Sequence, residues 1–262
     1  MSNLTQAIQQ AAFAHGIDVL IGHAHNDDDI ASRLLRRMWS GWFDGVLLVG
    51  KLRGYHQLIE QLRQSQTHFV TVAHGTQAEP PLVNIDEVQG THLALEYLYQ
   101  LGHRRIAYIG SMLDAGIGER LAYFKQFAAD FALNLPEGYL QTGVYTQAEA
   151  MQRTIDLLQG PDQPTAIFAS STWLGIGALQ GARYLGVRVP EDLSLLGFDE
   201  IPQAASTFPP MTTVQQPIHE MAQEAVALLV HQINQDQAVH EVRRIIAPQL
   251  LIRASCEEPC VV

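Results

Sequence analysis

The sequence predicts an α/β fold built on two parallel sheets that follow one another along the chain. Three observations carry that expectation. Short apolar runs, of which Ala166–Ala169 and Leu193–Gly197 are the plainest, have the length and composition of strands buried on both faces. Longer stretches of helical period alternate with them, as in Leu174, Ala178, Ala182 and Leu185. Gly16, Gly102 and Gly186 stand where a helix must stop and a strand begin.

In chain order, Leu4 to His15 reads as an amphipathic helix with Ile8, Ala11 and Ala12 inward. Ile17–Gly22 is expected as a strand, with His23, Ala24, His25 and Asn26 at its carboxyl end. Asn26 to Asp29 supply a cap and an acidic first turn for a helix reaching about Gly41. Phe43–Gly50 is then a strand, Tyr55–Gln64 a helix, His68–Ala73 a strand and Val83–Asp86 a short strand. Gly90–Leu101 is a helix with Ala94, Leu95 and Leu98 inward, and Arg105–Gly110 a strand. Ser111–Gly118 reads as a small-residue loop, Glu119–Leu133 as a helix, Tyr139–Thr142 as a strand and Ala148–Leu158 as a helix. Ala166–Ala169, a helix capped by Ser170 or Ser171, and Leu193–Gly197 form one βαβ unit. A long loop through Pro209-Pro210 and Thr212-Thr213 follows it. Ile218–Gln235 is a long helix, and Glu241–Ile252 alternates enough for strands, with Pro248 inside.

At 262 residues the chain can build one large or two medium domains. No apolar run approaches the roughly 18 residues of a membrane span. The opening MSNLTQAIQQ lacks the basic and apolar regions of a signal peptide, so a cytoplasmic protein is expected. The net charge of −11 opposes duplex binding, which needs clustered Lys and Arg to displace counterions. The few basic clusters, Arg33/Arg36/Arg37, His103-Arg104-Arg105 and Arg243-Arg244, read equally as solvated faces. Cys256 and Cys260 allow a disulfide, a metal pair or two free thiols; without a secretory signal, reduced thiols are expected. No nucleophile elbow, P-loop, dinucleotide fingerprint or zinc-protease motif occurs, so neither catalysis nor a cofactor is expected. His23 and His25 would face the same way on a strand, but no third ligand completes a tetrahedron, so no metal is expected.

Four words in the second half, PTAIF, GAL, LGVRVPEDLSLLGFDEIP and PPMTTVQQP, stand in order at one characteristic spacing. An aspartate-containing strand, a helix and LGHRRIAYIG form a further word in the first half. Together they resemble the effector-binding domain of the LacI/GalR family of bacterial repressors. The resemblance implies a periplasmic-binding-protein-like fold, two doubly wound lobes joined by three crossovers with a ligand between them. By the same resemblance Met1–Gly110 plus Val214–Gln235 form one lobe and Ser111–Thr213 plus Ala238–Val262 the other. The crossovers are then expected near Ser111, Thr213–Gln216 and Asp236–His240. Family members begin this domain with a strand and a loop often ending in Ser-Asn, whereas here Ser2-Asn3 follow Met1 directly. The first strand of the first lobe and the helix-turn-helix headpiece are therefore missing from the expected pattern. A start internal to a longer gene is favoured, with a trimmed chain or a lobe that closes differently as alternatives.

Ligands of open α/β sheets bind outside the carboxyl ends of strands, and Asp199 sits at such an end. Arg120 is expected in the first turn of its helix, the wrong end of the helix dipole for a cation, so something else should justify it. The resemblance implies that Arg120 fork-binds ligand hydroxyls and that Asp199 accepts them. Here the arginine word is Arg-Leu-Ala-Tyr, with Tyr123 where the family has glycine. Tyr145 and Phe208 match aromatic positions that stack on an apolar ligand face; each reads equally as a core aromatic beside it. Ser171 and Thr172 replace a common Asn-Asp grip, Trp173 adds a flat surface, and Ser171 reads also as a helix cap. On the other lobe, His23, His25, Asn26, His74, Asp86 and Gln89 lie near strand ends; His23 and Gln89 are the contacts expected there, and Asp86 a cap.

These readings imply a sensor and dimerisation module of a LacI-type regulator, its effector a sugar, nucleoside or related small molecule. Effector binding would shift the angle between lobes and the spacing of headpieces on operator DNA, which the headpiece alone would contact. Ile176, Leu179 and Gln180 are the expected homodimer face. A free-standing solute-binding protein and an α/β enzyme are the alternatives; no membrane contact is expected.

Overall fold

The computed structural model describes residues 3–24, 30, 33–34, 42–50, 54–73, 75, 78–111, 115–235 and 241–260, with backbone alone at 115–117. The chain divides into two compact units, Met1–Ile85 with Pro217–Ile246, and Asp86–Gln216 with Ala247–Val262. It therefore passes from one unit to the other three times, the number the sequence implied.

The first unit contains α1 (Asn3–Ala14), β1 (Gly45–Val49), α2 (Tyr55–Gln64), β2 (His68–Val72) and β3 (Leu82–Ile85). Its sheet runs β1-β2-β3-β9 with every pair parallel, where β9 is Arg243–Ile246. Val46 and Leu48 of β1 pack with Tyr55, Leu58, Ile59 and Leu62 of α2. Leu47 and Val49 lie with Ile8 and Ala12 of α1 and with Ala222 and Val226 of the helix Ile218–Gln235. Alternate residues of one strand thus serve two helical layers, which is why the strand is apolar throughout. Ile17–Gly22 forms no strand: a segment becomes one only when a neighbour completes its hydrogen bonds, and no described strand pairs with it. The expected helix Asn26–Gly41 falls largely outside the described residues, as do His25, Asn26 and His74.

The second unit holds, in order, α3 (Glu87–Gln100), β4 (Ile106–Gly110), α4 (Ala115–Asp130), β5 (Leu140–Thr142), α5 (Gln147–Gln159), β6 (Ala166–Ala169), α6 (Thr172–Tyr184), β7 (Ser194–Phe198), α7 (Pro202–Ser206) and β8 (Thr212–Gln215). After α8 (Ile218–Gln235) and β9, the chain returns as β10 (Gln249–Leu251). The sheet order is β10-β8-β7-β6-β4-β5, parallel except for the β10–β8 pair. The stretch read as a long loop after Leu193–Gly197 therefore contains α7 and a central strand.

The unit boundaries displace the first and third expected crossovers and leave the second at the end of its range. The first passage lies at Ile85/Asp86 rather than Ser111, because β4 is hydrogen-bonded between β5 and β6 and takes α3 with it. Asp86 and Gln89 consequently belong to the second unit. The second passage, at Gln216/Pro217, stands at the end of the expected range; β8 pairs with β7 and so stays wholly in the second unit. The third lies at Ile246/Ala247, because β9 pairs with β3 while β10 pairs with β8, and Pro248 sits in the gap where no ladder bond is needed.

Of the expected dimer face on α6, Ile176 and Leu179 pack partly against the core of their own unit, and Gln180 is exposed. The helix also presents Trp173 and Tyr184 to solvent. Its other side approaches α5 through glycines: a Cβ on Gly177 would collide with the Gln147 carbonyl oxygen and stand 2.9 Å from Ala150 Cβ. Gly177→Ala gains up to about 1 kcal/mol of helix propensity but overpacks this crossing. We expect a net loss of about 1–2 kcal/mol, read from the urea midpoint. An alanine variant as stable as the parent would show that the helices can move apart freely.

Candidate functional site

The second unit gathers its polar groups at the carboxyl ends of its parallel strands. α4 begins at Ala115, earlier than the sequence indicated, so Arg120 stands in the second turn and not the first. Its inward direction follows from helical period: Phe124 and Phe127 share its face and are buried. Tyr108, Phe124 and Phe168 form an aromatic cluster beneath, with Phe124 and Phe168 stacked at 6.4 Å.

Arg120 is 4% exposed, and its guanidinium is shared among four groups. Nε donates to Glu87 Oε2 at 2.7 Å, and one terminal nitrogen donates to the Ser170 carbonyl at 2.5 Å. The other lies 3.6 Å from Asp199 Oδ1. The guanidinium carbon stacks 3.5 Å from the centre of the Phe198 ring, a cation–π contact made in a desolvated setting. Burial alone would pull its protonation equilibrium down, but the charges of Glu87 and Asp199 outweigh it and hold the arginine firmly cationic. Burial pushes the Glu87 carboxyl up, against the pull of Arg120.

Asp199 follows β7 with φ 76°, a left-handed conformation that a non-glycine residue adopts only when its surroundings impose it. Four contacts impose it here. Its amide donates to the Val214 carbonyl at 2.9 Å, its carbonyl accepts from Thr172 Oγ1, and its Oδ1 accepts from Gln216 Nε2 and faces Arg120. Its side chain nevertheless remains 34% exposed. One carboxylate is thus held rigidly, half by the protein, with lone pairs left for a ligand. Beside it, Glu200 and Arg253 form a bidentate pair, 2.7 and 3.1 Å, that fastens the loop after β7 to the segment after β10.

Ser171 is the N-cap of α6, its hydroxyl accepting from the Leu174 amide at 3.3 Å, and Thr172 is buried on Asp199. The cap reading of Ser171 is therefore the one the geometry supports. Trp173, Tyr145 and Phe208 are 53%, 47% and 86% exposed; Tyr145 and Trp173 follow the carboxyl ends of β5 and β6, whereas Phe208 lies between α7 and β8. Tyr145 and Phe208 are accordingly not core aromatics. Asp86 caps α3 by accepting from the Gln89 amide at 2.8 Å, and the Gln89 side chain is exposed. His23 is exposed in the first unit, on a segment that forms no strand. Cys256 and Cys260 are both free thiols, the first buried.

Sequence reasoning missed Glu87 and Gln216. Glu87 follows Asp86, and two acids at a helix start read simply as cap and first turn. What could have revealed it is Arg120, a cation on the apolar face of α4 that required a buried partner.

Residues 95–256 match the family model described as periplasmic binding protein-like domain. The chain is 32% identical over 258 residues to the HTH-type transcriptional repressor CytR of Escherichia coli K12, covering 97% of this chain and 74% of that protein. To the ribose operon repressor of the same organism it is 28% identical, over 97% of this chain and 77% of the relative. A crystal structure of a LacI family transcriptional regulator from Lactobacillus casei with bound sucrose superposes with TM-score 0.82 at 26% identity, covering 96% of this chain and 93% of that one.

Proposed function

Since the chain belongs to the LacI family of transcription regulators, within the periplasmic binding protein-like fold, we propose that it is the effector-sensing module of such a regulator and takes a sugar or sugar-like molecule. The observation that carries this reading is Asp199, a partly exposed carboxylate locked in a left-handed backbone and facing a buried arginine at the strand ends. A fixed acceptor next to a fixed donor suits paired ligand hydroxyls. Tyr145 and Trp173 supply apolar faces on the same edge of the sheet, and Phe208 a further exposed ring, suited to the C–H face of a sugar or to a base. Thr172 holds the Asp199 carbonyl and Ser171 caps the helix beside it, and Gln89 stands exposed in the first turn of α3, two residues after Glu87. The sucrose complex of the Lactobacillus relative favours the same ligand class.

The module signals as a homodimer in the cytoplasm, its operator contacts made by a helix-turn-helix headpiece. The net charge of −11 supports leaving DNA to that part. Among the described residues no helix is long and apolar enough to cross a membrane. Relatives that are regulators support a binding role rather than catalysis. A ligand can switch such a module only through unequal affinity for two states.

Thermal-shift screening against neutral sugars and nucleosides tests the reading. A ligand at about 100 Kd should stabilise the protein by about 2.7 kcal/mol. Asp199→Ala should then weaken the same ligand by about 10- to 100-fold in calorimetry, the worth of charge-assisted hydrogen bonds. An affinity within about twofold of the parent would remove Asp199 from the site.

A further inference from the structure

The charge balance around Arg120 points beyond ligand binding in general to the charge of the ligand. An arginine facing a pocket ordinarily invites carboxylates and phosphates, which fit its fork in pairs. Here the arginine is answered twice from within the protein. Glu87, buried, takes Nε at 2.7 Å, and Asp199 stands 3.6 Å from a terminal nitrogen. Among the described residues, the charges that act most on Glu87 are those of Arg120, Asp199 and Glu119, of which the first is a cation. The nearby Arg253 is occupied by the Glu200 carboxylate. One cation against the two carboxylates in contact with it leaves a negative surplus, and the part of it that reaches solvent is Asp199.

We propose that Glu87 is a specificity-determining residue: by neutralising Arg120 from the buried side it makes this an acceptor-rich site for uncharged hydroxylated ligands and closes it to their phosphorylated or carboxylated counterparts. The inference rests on the binding reading above but concerns a different property, the sign of the local field. Asp199 can accept ligand hydroxyls, whereas a phosphate brought to the same oxygen meets a like charge, and the positive charge beside it is already shared between Glu87 and Asp199. Glu87 touches Arg120 and acts through it, so it is a positioning residue as well as a source of charge.

Inorganic phosphate is the probe, since it responds to the sign of the local field whatever the effector is. Thermal shifts at constant ionic strength are compared for the parent, Glu87→Gln, Asp199→Asn and the double variant. Asn tolerates the left-handed backbone at 199, so that variant should fold even if the buried substitution at 87 does not. The parent should show no phosphate-specific shift, each folded single variant a small one, and the double variant an apparent phosphate affinity at least about tenfold above either single. Adding Arg120→Met to the double variant should abolish the gain. A phosphate-specific shift in the parent that Arg120→Met removes would overturn the proposal, as would folded variants indistinguishable from the parent. A second panel pairs D-ribose with ribose 5-phosphate and D-glucose with glucose 6-phosphate. A phosphorylated member that outbinds its neutral partner in the parent also overturns it. If no neutral sugar or nucleoside binds while the graded phosphate response appears, the sugar reading fails and the charge assignment stands.

Discussion

Arg120→Met is expected to lower folding stability by about 3–5 kcal/mol, the cost of leaving one partner of a buried ion pair alone. Methionine matches the aliphatic stem but loses the guanidinium that stacks on Phe198, so part of the loss is packing. What remains is the Glu87 carboxylate, buried, with its contacting cation among the described residues gone. The Ser170 carbonyl loses its donor at the same time. Adding Glu87→Gln should recover most of the loss, because a neutral amide costs much less to bury than a carboxylate. Urea unfolding of the two single variants and the double gives the coupling directly. Losses that simply add would mean the pair contributes little and that the stacking of Arg120 on Phe198 holds the region instead. Ligand binding should stay impaired in the double variant, since the restored stability does not restore the donor fork. That separation distinguishes a structural arginine from one that also contacts ligand.

The parts of this architecture that could be read from sequence are those set by local period. Tyr55–Gln64 and Ile218–Gln235 coincide with the helices expected, because their buried faces recur at helical spacing. What escaped was set by partners far along the chain. β8 is a run of threonines and valine after two prolines, and only its place beside β7 makes it a strand. Ile17–Gly22 shows the converse, strand-like composition without a described neighbour. β4 has the same composition whichever sheet it joins, so the unit boundary could not be found by periodicity. At the candidate site, Arg120 and Asp199 stood out through helix position, strand end and family resemblance together, and the structure adds the contacts that hold them. The left-handed backbone of Asp199 depends on contacts with Thr172, Val214 and Gln216, none of which is a sequence neighbour. Glu87 was hidden because its partner lies on a different helix.

The same kind of distant pairing predicts how the fold responds to acid. His103 follows α3 and is buried where three segments meet. Nδ1 lies 2.9 Å from Thr165 Oγ1; Nε2 lies 2.9 Å from Ser194 Oγ and 3.0 Å from the Glu257 carbonyl. A carbonyl only accepts, so Nε2 carries the proton and Nδ1 accepts from Thr165 in the neutral ring. Burial pushes the imidazole down to about 4, and the Arg104 charge acts in the same direction. The unfolded chain, at about 6.5, therefore binds a proton before the folded one does as the pH falls. The stability contribution is complete above about pH 6.5 and is lost progressively toward pH 4, in total about 3 kcal/mol at 1.36 kcal/mol per unit. His103→Gln should be less stable than the parent at pH 7.5, having lost hydrogen bonds worth about 1–2 kcal/mol. Its deficit should shrink as the pH drops and reverse below about pH 5, because only the parent pays the protonation penalty. Urea unfolding of both proteins at pH 7.5, 6 and 5 measures this. A stability gap that stays constant across that range would mean the folded histidine already takes up its proton near the ordinary value, and that its burial between β6, β7 and the C-terminal segment imposes no such bias.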